Sequence, residues 1–317
     1  MARWIGPGVA LGAAVAALLL PVRASLAWGP EGHRVIALVA DHVLQQSDPA
    51  ARAKVLALLA SDKGDPLAKP DIAGEANWAD ALAEKSPEAR TATAAWHSAR
   101  LVVEHPDLSS ACFGRKPLPE GYPASHGPQD NCSVDKIEQF QAELANPGTS
   151  PHERLAAVQF LLNLVGDLND PLHAIDHGDR GGDCVALAIG GKPPVRLATY
   201  WQDTLVHEVA GADAAGGARR IAAAIPAAAS AKWAEGTPES WARESYEIAK
   251  AVVYSFDSEQ PADQSAFPAR PGQGAGCAAT PLYKVGPDYE TKALASVKER
   301  LAVAGVRLAR VLRDGMK

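Results

Sequence analysis

Positive charge is in deficit in this 317-residue chain: 31 lysines and arginines face 37 acidic residues, a formal net charge of -6 with histidine neutral. That excludes a basic stripe that grips nucleic-acid phosphates by releasing counterions. Any affinity for phosphate must come from a local site, such as one built around bound cations. No CxxC pair occurs among the four cysteines, which argues against a thiolate zinc site. Runs that alternate apolar and polar residues with period two are hard to find, which argues against a sandwich or a barrel. No long apolar run is present either: the block from about Val9 to Leu20 is shorter than the roughly 20 residues a membrane span needs.

That short block reads instead as the core of an export signal. Arg3 supplies a basic start and Ser25-Leu26-Ala27 a small-x-small cleavage signal. Cleavage after Ala27 makes Trp28 the first residue of the mature protein and frees its backbone amine. The leader carries Arg3 and Arg23 and no acid, so its loss leaves the chain more acidic still. The expected organisation is a signal peptide over residues 1–27 and one domain over 28–317, secreted or periplasmic, with no stable membrane association and monomeric. Cys112, Cys132, Cys184 and Cys277 suit two disulfides in an exported chain. Sequence alone allows three pairings; Cys112 with Cys132 closes a local loop and Cys184 with Cys277 a long one.

The apolar spacing is helical almost throughout, which predicts an all-α fold. Val35, Ile36, Leu38, Val39, Val43 and Leu44 form a stripe between Glu31 and Gln46. Asp48-Pro49, Ser150-Pro151 and Thr237-Pro238 each supply a cap and a proline at the first helical position. The helix from Pro151 buries Leu155, Val158, Leu161, Leu162 and Val165 and ends before Pro171; another runs from about Tyr289 to Leu312. Two long irregular stretches, His105 to Asn131 and Asp257 to Thr280, are rich in Pro, Gly and Ser, and disulfides would limit their entropy.

Chemistry concentrates in residues that are polar where burial is expected. Asn163 and Asp167 lie four apart and share a helix face. His173 follows just past Pro171, Asp80 sits in Asn77-Trp78-Ala79-Asp80, and His97 follows Trp96. An Asp among leucines is costly to bury alone, so it points to a cation or a firm hydrogen-bond network. Singly, each of these has a structural reading as a satisfied core residue or a surface group. Together with Trp28-Gly-x-x-Gly-His33, Gly166-Asp167, Pro171-Leu172-His173 and Gly181-Gly182 they resemble the S1/P1 nucleases, secreted all-helical zinc phosphodiesterases related in fold to bacterial zinc phospholipase C. Tyr200-Trp201 and Ala304-Gly305-Val306-Arg307-Leu308-Ala309 also look like segments of that family, and the resemblance covers most of residues 28–317.

The resemblance implies an all-α, single-domain phospholipase C/P1 nuclease-like fold with long disulfide-tied loops. It implies that the amine and carbonyl of Trp28, with His33, hold one zinc ion; that Asp167 bridges to a second; and that Asp80 and His97 bind the second, with Asp80 also orienting the nucleophile. Paired zinc ions lower the pKa of a shared water and offset charge at phosphorus. Where the family has a histidine four residues before the bridging aspartate, this chain has Asn163, a weaker zinc ligand. For the family's third ion only His173 remains, because Ala198 and Gln202 replace a histidine and an aspartate. Two zinc ions are therefore expected, with the third site empty or rebuilt from Asp176, His177, Asp179, Asp183 or Asp203. Ser98 and Arg100 also stand where the family has an aromatic and an acidic residue against the base, and base stacking is worth about 1 to 3 kcal/mol.

The expected activity is hydrolysis of single-stranded DNA or RNA and of 3'-nucleotides, with Asp80 and Asp167 as catalytic residues. The alternatives are another phosphoester, such as a phospholipid headgroup, or a noncatalytic binding protein on the same scaffold. His42, His105, His126, His152 and His207 read as surface or packing residues, Trp233 and Trp241 as core, Arg307 and Arg310 as a solvated helix face, and Asn131-Cys132-Ser133 as a weak glycosylation sequon.

Overall fold

The computed structural model of the protein describes residues 27–69, 71–256, 277 and 280–317. The leader ahead of Ala27 and most of the Asp257 to Thr280 stretch lie outside the described residues. The fold is helical, with a few very short strands. Local signals set the helix starts: the Asp48 side chain accepts from Ala51 N at the head of Pro49–Leu59, and Ser150 accepts from Glu153 N at the head of Pro151–Leu168. Thr237 and Ser240 cap each other reciprocally at Pro238–Ile248. Each such cap is worth about 1 kcal/mol.

Pro151–Leu168 is the central helix: every residue from Ala156 to Leu168 is buried. A helix covered on all sides must be packed on all sides. Ser133–Ala145, Gly29–Ser47 and Pro287–Gly315 surround it. Gly29–Ser47 and Pro287–Gly315 approach each other closely because residue 305 has no side chain; a Cβ there would lie 2.4 Å from Val39 Cγ1. No helix among the described residues is long and apolar enough to cross a membrane.

The strands position the site although they add little core. Leu101–Val102 pairs in parallel with Ile175–Asp176, which ties the chain just after His97 to the chain just after His173. Ala186–Ile189 lies between Val195–Arg196 and Leu282–Val285. At two to four residues these strands are too short to show a period. The cysteines pair as Cys112–Cys132 and Cys184–Cys277, with partners 20 and 93 positions apart in sequence. Asp135 lies beside the first pair, but sulfurs bonded to each other are not thiolate ligands.

Two sequence readings are corrected. Arg307 is buried, not solvated: its guanidinium donates to Asn169 Oδ1, to Glu244 and to the Trp233 carbonyl. Arg310 donates to the carbonyls of Ala234 at 2.6 Å and Gly236 at 2.7 Å. These arginines clamp the Pro287–Gly315 helix to the segment ahead of Pro238, so their partners come from distant sequence. The Asn131 sequon is closed as well, since Asn131 is fully buried and Cys132 is in a disulfide.

Candidate metal centre

Aromatic residues make up only 6 % of the chain, yet they gather under the polar cluster. Phe140 and Phe160 stack with centroids 4.8 Å apart, and Trp78 and Trp96 each meet Phe160 at 5.4 Å. Trp78 opens the helix Trp78–Lys85 that carries Asp80, and Trp96 precedes His97. The apolar packing thus fixes where these two polar residues emerge. Lys136, a fully buried lysine that sequence reading passed over, braces the same platform. Its ammonium lies 3.9 Å above the Trp96 ring and donates to the carbonyls of Ala124 and Gly127. Burial pushes its pKa down to about 7.

On this platform the structure brings together His33, Asp80, His97, Asn163 and Asp167, all but His97 nearly inaccessible to solvent. His97 Nδ1 lies 2.7 Å from Asp167 Oδ2, and His33 Nε2 lies 3.2 Å from Asp167 Oδ1. Each imidazole also stands 4.0 Å from one oxygen of Asp80. Asn163 Nδ2 donates to Asp80 Oδ2 at 2.9 Å and to the Ala76 carbonyl at 3.2 Å. Gly166 makes room for His33, because a Cβ there would lie 2.8 Å from His33 Nδ1.

The electrostatics follow from burial among like and unlike charges. Burial alone would lower the pKa of His97, but Asp167, followed by Asp80, overcomes it and pushes the group up to about 8. His33 is raised by the same balance. Burial works against ionised Asp167, yet both imidazoles hold its carboxyl well below the usual range. Asp80 is raised, chiefly by burial. Several polar atoms remain unsatisfied. His33 Nδ1 and Nε2 make no directed hydrogen bond despite the near approach to Asp167, and Asn163 Oδ1 makes none although its closeness helps raise His97. Such orphaned atoms are costly in a dry interior. Two imidazoles, two carboxylates and an amide oxygen with free lone pairs form a donor set suited to divalent zinc.

Trp28 packs against the same centre. Its indole donates to the Gly166 carbonyl at 2.9 Å, its own carbonyl accepts from Gly32 N at 3.1 Å, and its backbone sits in the left-handed region at φ 52. A bulky residue rarely adopts that conformation. The Trp28 backbone nitrogen donates to Asp170 Oδ2 at 3.4 Å. Asp170 was not singled out from the sequence; its signal is the same Asp-Pro pattern seen at Asp48. It is fully buried and also accepts from Leu172 N and from Gln202 Nε2.

The third-ion side is different. His173 is brought next to the cluster, with Nδ1 2.8 Å from the His97 carbonyl. A carbonyl only accepts, so Nδ1 carries the proton and the Nε2 lone pair is buried with no partner. Burial pulls the His173 pKa down, and the charge of Arg100 acts in the same direction. Ala198 is buried with no donor atom, and Gln202 is committed to Asp170. Of the proposed substitutes, Asp179 bonds Gly182 N and the Tyr254 hydroxyl, and His177 stacks on Tyr254 at 4.3 Å. Of the three positions that hold the family's third ion, only His173 keeps an unpartnered donor atom.

Comparison with known proteins finds relatives over nearly the whole chain. Endonuclease 4 of Arabidopsis thaliana is 24 % identical over 296 residues, 92 % of this chain and 90 % of that protein. Endonuclease 2 of the same plant is 24 % identical over 291 residues, 90 % of this chain and 89 % of its own. The S1/P1 Nuclease family matches residues 28–317, a stretch that begins at Trp28 and takes in every residue of the cluster. The chain belongs to the S1/P1 nuclease family.

Proposed function

We propose that this protein is an exported zinc-dependent phosphodiesterase that cleaves single-stranded DNA or RNA endonucleolytically and also acts on 3'-nucleotides. The observation that carries this is the buried convergence of His33, Asp80, His97 and Asp167, with both ring nitrogens of His33 and Oδ1 of the adjoining Asn163 left without hydrogen-bond partners among the described residues. Family membership and the endonuclease relatives support a nuclease hydrolase. In this reading residues 1–27 are removed, residues 28–317 are the working domain, and two disulfides suit the oxidising compartment it enters.

Trp28, through its amine and carbonyl, and His33 would hold one zinc ion, Asp80 and His97 another, and Asp167 would bridge the two, with Asn163 as a weak additional ligand. Bound there, the ions supply Lewis-acid neutralisation of phosphate charge and a more acidic water. The protein's own part is positional. Asn163 fixes Asp80 at 2.9 Å, and Asp80 orients the attacking water. The Phe140–Phe160 platform holds His97 against Asp167, and Gly166 lets His33 reach it. With an acidic chain around it, the site must attract phosphate locally.

The test is zinc content of the mature protein together with a substrate panel of single-stranded DNA, RNA, 3'-AMP and phosphatidylcholine. Two zinc ions per chain, hydrolysis of nucleic acid lost on chelation and its return with zinc are expected. Full activity without metal would overturn the proposal, and so would lipid turnover far above nucleic-acid turnover.

A further inference from the structure

Arg100 stands in this region without a polar partner among the described residues. It is half-buried, its Nε is buried without a hydrogen-bond partner, and among the described residues no hydrogen bond or ion pair engages its guanidinium. A guanidinium stripped of some of its water and given no carboxylate in return is costly. Its location is well defined. A Cβ on Gly181 would lie 3.0 Å from one terminal nitrogen of Arg100 and 3.4 Å from the Leu172 carbonyl, and a Cβ on the next residue, Gly182, would lie 3.0 Å from Ala198 N. Its charge acts directly on His173. Arg100 therefore occupies the His173–Ala198 side, one hydrogen bond away from His97 through the His173–His97 link.

Of the family's third-ion positions, that side offers a divalent cation one unpartnered nitrogen, His173 Nε2, next to a fixed like charge. It offers an anion a planar fork of unused donors, the geometry that matches phosphate oxygens two at a time. We propose that Arg100 binds a non-bridging phosphate oxygen of the substrate on the side where a third metal ion is absent, so that the site works with two zinc ions and one arginine. This rests on the zinc phosphodiesterase reading and adds a residue to it. The glycines at 181 and 182, both with positive φ, let the chain pass close enough to leave the guanidinium room.

The experiment measures binding of inorganic phosphate by titration calorimetry to zinc-loaded full-length mature protein, with zinc per chain counted in the same samples. Arg100→Ala should weaken phosphate binding about 10- to 100-fold, the scale of a lost charge-assisted pair, while the zinc count stays at two. Arg100→Lys should recover part of the affinity. If the circular dichroism of Arg100→Ala shows misfolding, Arg100→Gln, of similar shape without the charge, is read in its place. Phosphate affinity within about twofold of the parent would overturn the proposal, as would a third zinc ion in the parent that His173→Ala removes. The two readings separate cleanly. Cleavage of single-stranded DNA with phosphate affinity indifferent to residue 100 sinks the arginine and spares the nuclease. Loss of phosphate binding in a protein that cleaves nothing does the reverse.

Discussion

Two groups of residues meet at the hydrogen bond between His173 Nδ1 and the His97 carbonyl, and they handle burial in opposite ways. On one side, His33, Asp80, His97, Asn163 and Asp167 are packed so that several lone pairs have nothing to bond. On the other, Gln202 has taken Asp170 as a partner, the Ala198 side chain has no polar atom to satisfy, and His173 Nε2 and Arg100 Nε are left over among the described residues. The contrast teaches where function resides in a buried polar cluster. A closed network such as Gln202–Asp170–Leu172 N has its polar atoms committed to the fold, whereas an unsatisfied one at the end of an otherwise apolar helix leaves donor atoms for a ligand to meet. The Arg307–Asn169–Glu244 network, at the cap residue just past Asp167 on the central helix, is a second closed case.

The sharpest break of this comparison is Asp167→Ala. It removes the carboxylate both imidazoles face, so zinc should fall from two per chain to less than one and hydrolysis of single-stranded DNA by at least about 10³-fold, since metal stabilisation of the transition state is several kcal/mol. Unchanged turnover would show that the unsatisfied side is not the working side. Next comes the amino terminus. One alanine placed ahead of Trp28 converts its amine to an amide, and an amide nitrogen is a poor zinc ligand. Zinc should fall to about one per chain and activity by on the order of 10²-fold; the assay is metal content beside the same cleavage rate.

A pH series sharpens the contrast further. The His97 pKa lies above the value of about 6.5 expected in the unfolded chain. The stability contributed by its pairing with Asp167 is therefore fully present below about pH 6.5 and lost as pH rises through about 8. Zinc-free protein should lose Tm over that window. Zinc requires neutral rings at His97 and His33, so zinc affinity should move the other way and weaken at least about tenfold per unit as pH falls below 8, at least one proton being displaced. Calorimetry in buffers of different ionisation heat reads that proton. The mildest change is Ala198→His with Gln202→Asp. It rebuilds donors beside His173, at the expense of setting two carboxylates, 170 and 202, against each other. Zinc-free Tm should drop and zinc uptake should rise toward three; a count that stays at two would show that Arg100 alone keeps a metal away.

Much of this was legible in the sequence because the signals were local. Asp48-Pro49, Ser150-Pro151 and Thr237-Pro238 marked helix starts that the structure shows, and an Asn and an Asp four apart on an apolar helix marked one face of the cluster. What was not legible depended on partners far away in the chain. Arg307 looks like a surface residue until Asn169 and Glu244 are brought to it, and Lys136 until Trp96 and the Ala124 and Gly127 carbonyls are. Asp170 caps the short helix at Pro171, and only the fold adds Trp28 and Gln202 to its duties. Arg100 was legible as a departure from the family pattern, but its lack of a partner among the described residues is a fact of three dimensions.

The most direct test of the account is anomalous diffraction at the zinc edge from crystals of the mature protein grown with zinc. Two peaks are predicted, each about 2.0 to 2.2 Å from its nitrogen and oxygen ligands, one against Trp28 and His33, one against Asp80 and His97, with Asp167 touching both and no peak at His173. A peak at His173 Nε2, or none beside Asp167, would contradict it.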